Sequence, residues 1–160
     1  MASLSDMAAG WGSVYANHAA LRTLVTFAHV ASLIVGGGAA IAADRATLAA
    51  RELDGVNRRM SLDTLHGTHR IVIVSLLLVA VSGVLMFAAD LDALIYSRVF
   101  WIKMALVALL VVNGGLLWQA EQRARQDDTT AWPRLRVTAW ASVALWLLAT
   151  LAGVALLNIG

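Results

Sequence analysis

Apolar residues along this chain neither alternate in the manner of a strand nor mark one narrow helical stripe. They come in four long blocks, approximately 21–43, 71–89, 99–118 and 137–157, separated by polar stretches. A hydrocarbon core of about 30 Å takes roughly 20 residues of α-helix to cross, and each block is near that length. With no water in the bilayer to satisfy backbone groups, such blocks must be helical. The pattern predicts an all-α protein, an integral membrane antiparallel four-helix bundle occupying residues 21–160.

The polar stretches refine this arrangement. Residues 90–98, "DLDALIYSR", are short enough to make the second and third helices an antiparallel hairpin, and "QDDTTAWP" places Pro133 near the first turn of the fourth helix, where a missing N–H costs nothing. The 44–65 stretch is longer and polar, and is expected to prolong the first helix before a turn at Asp54-Gly55. Residues 1–20 hold Asp6 as their only charged group, so they lack the positive n-region of a cleavable signal peptide. They are expected to form an amphipathic or irregular segment at the membrane interface, anchored by Trp11 and Tyr15.

Composition agrees with the block pattern. Sixty per cent of the residues are hydrophobic, only 14 % are charged, and the mean hydropathy is +0.75; a water-soluble domain has about twice that share of charge. The chain has no cysteine, which excludes disulfides, thiolate metal sites, c-type haem attachment and iron–sulfur clusters.

Charge sets the expected orientation. Of the 12 basic residues, Arg45, Arg51, Arg58, Arg59 and Arg70 lie in or beside one polar stretch and Arg123, Arg125, Arg134 and Arg136 in or beside another, leaving Arg22, Arg98 and Lys103. The positive-inside rule makes both Arg-rich stretches cytoplasmic and places both termini outside, periplasmic in a bacterial inner membrane. The pI near 9.7 then reflects topology and an anionic lipid surface rather than nucleic acid, for which no aromatic-interleaved basic patch exists.

Two ionisable residues fall inside the blocks. His29 lies in "LVTFAHVASLIVGGGAA" and Lys103 in "FWIKMALV". At 1.5 Å per residue, His29 is about 6 Å and Lys103 about 9 Å to the outer side of the midplane, near enough in depth to meet across the bundle. His66 and His69 lie at the cytoplasmic end of the second helix, on the order of 20 Å from His29 along the normal. His18 would reach the end of the bundle where His29 lies only if the N-terminal segment folded back.

Each of these has a plain reading beside a functional one. Intramembrane ionisable groups cost about 2.5–3.5 kcal/mol on insertion scales and tend to mark function; yet Lys103 could snorkel outward, and a neutral His29 could simply bond a helix carbonyl. His66 and His69, spaced i and i+3 beside Arg70, read as interfacial or as a metal-binding pair. Gly36, Gly37, Gly38, Ser75, Ser82, Gly83, Gly114 and Gly115 allow close helix approach, or room for a flat macrocycle. Asn113 is expected to bond across the bundle, Trp101, Trp118, Trp132 and Trp140 to lie at the interfaces, and Trp146 to face lipid or wall a cavity. No Ser-His-Asp set, phosphate loop or HExxH occurs, and the carboxylates fall in the polar stretches, so catalysis by side chains alone is not expected.

The runs "FAHVASLIVGGG" and "HRIVIVSLLLVAVSGVLMFAADLDALIYSRVFWIKMALVALLVVNGG" resemble small bacterial four-helix inner-membrane proteins of the CopD-like and related uncharacterised kind. Their layout is also similar to that of HemJ-type membrane proteins of haem biosynthesis. A first-helix histidine followed by small residues, a Ser/Thr-Gly near the outer end of the second helix, and F-x-x-K at the start of the third map onto His29, Gly36, Ser82-Gly83 and Phe100–Lys103. The HemJ likeness implies a bound haem b with His29 and Lys103 as its axial ligands and Gly36 and Ser82 beside it; here "GGGAAIAADR" replaces the aromatic context that follows the histidine in that family. The CopD likeness would imply copper transport, for which the sequence offers only His29 and scattered methionines.

These features point to a b-type haem-binding inner-membrane protein passing electrons to or from a quinone- or porphyrin-type partner. The alternatives are a non-enzymatic small membrane subunit or assembly factor bound to a membrane protein partner, in which His29 and Lys103 pair polar groups between helices, and a metal-ion (copper) permease component.

Overall fold

The computed structural model describes residues 4–49, 66–125 and 131–159, and among these it is helical apart from short joints, with no strand. The helices are α1 (Leu4–Asn17), α2 (Ala19–Ala49), α3 (His66–Ala89), the short α4 (Leu91–Ile95), α5 (Arg98–Arg125) and α6 (Ala131–Ile159). Four of them, α2, α3, α5 and α6, are long and apolar enough to cross a membrane. All four extend past the apolar blocks that announced them, because the i→i−4 hydrogen-bond ladder does not stop where hydropathy falls. The expected prolongation of α2 holds as far as Ala49; the turn at Asp54-Gly55 lies outside the described residues.

The joints have local causes. Only His18 interrupts the helical run from α1 to α2: its backbone N–H still donates to Val14 O, and its carbonyl accepts from Arg22 N–H, both at 3.1 Å. Between α3 and α5, where a loop was expected, Leu91–Ile95 make one helical turn after Asp90. Ser97 then caps α5, its hydroxyl accepting the Phe100 N–H at 3.3 Å, the N-cap to N3 bond that serine favours. Pro133 is the third residue of α6, within the first turn as expected.

The packing order is α3 on α2, α2 on α6 and α6 on α5. Buried positions on α2 recur at 25, 29, 32, 36, 37, 40, 43 and 44, and on α6 at 131, 135, 139, 142, 146, 149 and 152, the spacing of one helical face. On α3 only Ser75 and Ser82, two turns apart, are fully buried. On the α2–α3 seam, contacts climb α2 from His29 to Gly36 as they descend α3 from Ser82 to Ser75. On the α5–α6 seam, Lys103 meets Gly153 and Asn113 meets Thr138. The α3 and α5 helices do not pack along their lengths; they meet through Phe87 and Phe100, whose rings stack at 4.9 Å.

The surface is far more apolar than that of a water-soluble fold, and several polar side chains lie within the mainly apolar interior. Leu24, Phe27, Ile73, Leu77, Val112 and Leu151 are among many large apolar residues exposed, whereas His29, Ser32, Ser75, Ser82, Asn113 and Ser142 are buried. Lipid is the solvent that such a surface suits.

Small residues carry the tight contacts, but not all those expected to. A Cβ added to Gly36 would lie 2.6 Å from Ser75 Cβ, and one added to Gly37 would lie 3.2 Å from the Trp146 ring. Trp146, only 5 % exposed, therefore faces the interior rather than lipid. Gly38, Gly114 and Gly115 have nothing within 4 Å of such an atom, so the close approach expected at these three positions does not occur. They lie on faces turned away from neighbouring helices, which an all-apolar helix does not reveal by its sequence.

Candidate functional site

His29 and Lys103 occupy the two outer seams of this arrangement, and the helices place them at one level. The register follows from α6, whose Trp146 lies against Gly36 and Gly37 of α2 and whose Gly153 lies against Lys103 of α5. Going seven residues from Trp146 to Gly153 and seven from Gly36 back to His29 moves about 10.5 Å along each helix, toward the end that carries Asp90.

Their environments differ. His29 is 8 % exposed, and its Nδ1 lies 3.0 Å from Ser82 Oγ. Gly83 lies beside the ring, where an added methyl would meet Cε1 at 3.4 Å, an ordinary van der Waals contact. The Lys103 side chain is half-buried and turns inward: Nζ is 3.5 Å from the position of a Cβ on Gly153. It does not snorkel away from the bundle, and no hydrogen-bond partner for Nζ exists among the described residues. The site thus presents an imidazole tethered through one nitrogen and an amine with open donor capacity.

The other expected site residues divide. Ser82 is 4 % exposed and joined to His29. Gly36 lies two turns away, its surface covered by Ser75 and Trp146. The side chains of His66 and His69 lie outside the described residues. His18 is exposed, and its Nδ1 meets Val14 O at 2.9 Å. The N-terminal segment is a regular helix that does fold back: Trp11 Nε1 donates to Leu85 O of α3 at 2.7 Å, and Gly12 fits against Ala89 O. Tyr15 OH stands 3.5 Å from Thr26 Oγ1 of α2, so α1 closes the Asp90 end above His29.

Two carboxylates were missed. Asp44 and Glu121, expected in polar stretches, are 3 % and 4 % exposed on the inner faces of α2 and α5, toward the Arg-rich end, and both have interaction partners. The signal was present in the spacing: Asp44 continues the Gly36–Ala40 face at i+4, and Glu121 continues Asn113–Leu117 in the same way. Hydropathy alone had ended the helices too early.

No family model, no curated protein and no solved structure matches the chain.

Proposed function

We propose that the protein is an integral membrane antiparallel four-helix bundle of the bacterial inner membrane that holds haem b between His29 and Lys103 and exchanges electrons with a quinone- or porphyrin-type partner in the bilayer. The observation that supports this reading is that the register of α2, α6 and α5 brings the two intramembrane nitrogen donors to one level, His29 on the α2–α3 seam and Lys103 on the α5–α6 seam. The donor set fits: imidazole is a common axial ligand of haem iron, and an amine can serve as one once it has lost its proton. When bound, haem supplies one-electron chemistry that no side chain here can perform.

The chain's own contribution is to orient and to enclose. Ser82 holds the imidazole against α3, Gly83 and Gly153 lie within van der Waals contact distance of the two side chains, and α1 packs on the Asp90 ends of α2 and α3. A quinone or porphyrin would approach from the lipid phase that surrounds the apolar exterior. An absorption spectrum of detergent-purified protein is the direct test. A Soret band with sharp α and β bands on reduction is expected. A colourless preparation from haem-replete cells would overturn the proposal and leave His29 and Lys103 as polar groups joining helices of a small membrane subunit.

A further inference from the structure

Ser82 has one hydroxyl hydrogen and two carbonyls within reach of it. Its Oγ lies 2.6 Å from Leu78 O and 3.2 Å from Val79 O, groups that only accept. A bond back to the i−4 carbonyl is a common arrangement for serine within a helix, and 2.6 Å is at the short end for a hydroxyl donor. With its hydrogen committed there, Ser82 meets Nδ1 of His29, 3.0 Å away, with a lone pair.

A neutral imidazole carries its hydrogen on one nitrogen only. Were that nitrogen Nε2, Ser82 would have to swing its hydrogen from the Leu78 carbonyl to His29 Nδ1, giving up the bond at 2.6 Å for one at 3.0 Å. Placing the hydrogen on Nδ1 satisfies the Leu78 carbonyl, Ser82 Oγ and His29 Nδ1 in a single chain of bonds. We infer that Ser82 is a positioning residue that holds neutral His29 as the Nδ1–H tautomer and so leaves Nε2 as the nitrogen with a free lone pair. Hydrogen bonding at one ring nitrogen is the general means by which proteins choose which other nitrogen binds a metal. Ser82 then acts on a ligand through His29 and makes no contact with it. This deepens the haem proposal and rests on it only for what Nε2 goes on to bind.

The tautomer can be read without haem. Long-range 1H–15N correlation spectra of histidine-labelled protein, prepared free of haem and at alkaline pH, distinguish Nδ1–H from Nε2–H, and the His29 signals are those lost in His29→Gln. Wild-type protein and Ser82→Thr are expected to show the Nδ1–H pattern. Ser82→Ala should shift a measurable share of the population to Nε2–H. An Nε2–H pattern in the wild type, or a Ser82→Ala spectrum superimposable on it, would overturn the inference. A protein that never binds haem can still give the expected spectra, and a haem protein can still refute them, so the two proposals fail separately.

Discussion

A methyl group added to α2 meets opposite fates two residues apart. At Gly36 it would lie 2.6 Å from Ser75 Cβ, an atom held by the helix backbone, so α2 and α3 must move apart. Overpacking of this kind costs about 1–3 kcal/mol, and Gly36→Ala should lower the midpoint of SDS-induced unfolding in micelles accordingly. At Gly38 nothing lies within 4 Å, and Gly38→Ala should leave the midpoint unchanged or raise it slightly. Equal losses at both positions would mean that the α2–α3 seam does not run through Ser75. The same scale governs the site. His29→Ala is expected to abolish haem binding, and Lys103→Met to weaken it or change the spectrum to a five-coordinate or differently ligated form. Only the unprotonated amine has a lone pair for the metal, so acidification should fade the six-coordinate signature of the wild type while alkaline pH preserves it. In Lys103→Met that step should vanish. A haem protein whose spectrum is identical in both variants would sink this ligand pair.

Between elements, one side chain reports on the α5–α6 seam. Asn113 Nδ2 donates to Thr138 O at 2.9 Å, as its place inside an apolar helix led one to expect. Interhelical bonds of this sort average about 0.6 kcal/mol and reach about 1.7. Asn113→Ala should therefore cost little in the same unfolding assay, well below Gly36→Ala; a loss as large as the glycine's would show that Asn113 anchors more than one bond. Asn113 and His29 were legible because a polar residue at membrane depth has few places to go but inward. The spans were legible because a bilayer demands about 20 apolar residues at a stretch. The faces of the helices were not. In α5, Gly114 and Gly115 are as small as Gly36 and Gly37, yet they turn outward, and an unbroken apolar run gives no contrast between lipid and protein sides. Likewise, Asp44 and Glu121 were assigned to polar stretches because hydropathy marks where the oil ends, whereas the helix ends where its hydrogen bonds do.

At the scale of the whole molecule, a predominantly apolar exterior suits lipid as the surrounding medium, and charge then sets the expected orientation of the bundle. The four long helices carry their ends in two sets. At one end lie the Arg45 region, Arg70, Arg123, Arg134 and Arg136; at the other lie α1, the Asp90–Arg98 turn and the end of α6, with only Arg22 and Arg98 as basic groups. Moving a cluster of guanidinium groups across an energised membrane opposes both their hydration and the potential, so the Arg-rich end is expected on the cytoplasmic side. That orientation would put His29, Lys103 and α1 in the outer half of the bilayer, and with the proposed haem in place electrons leaving the site toward water would do so on the outer face. A pair of fusions after Gly160 tests it: alkaline phosphatase, which is active only outside the cytoplasm, should be active, and a fluorescent protein that matures only in the cytoplasm should be dark. The reverse pattern would invert the molecule, place the haem site in the cytoplasmic leaflet, and make the charge asymmetry of the helix ends a poor guide to its topology.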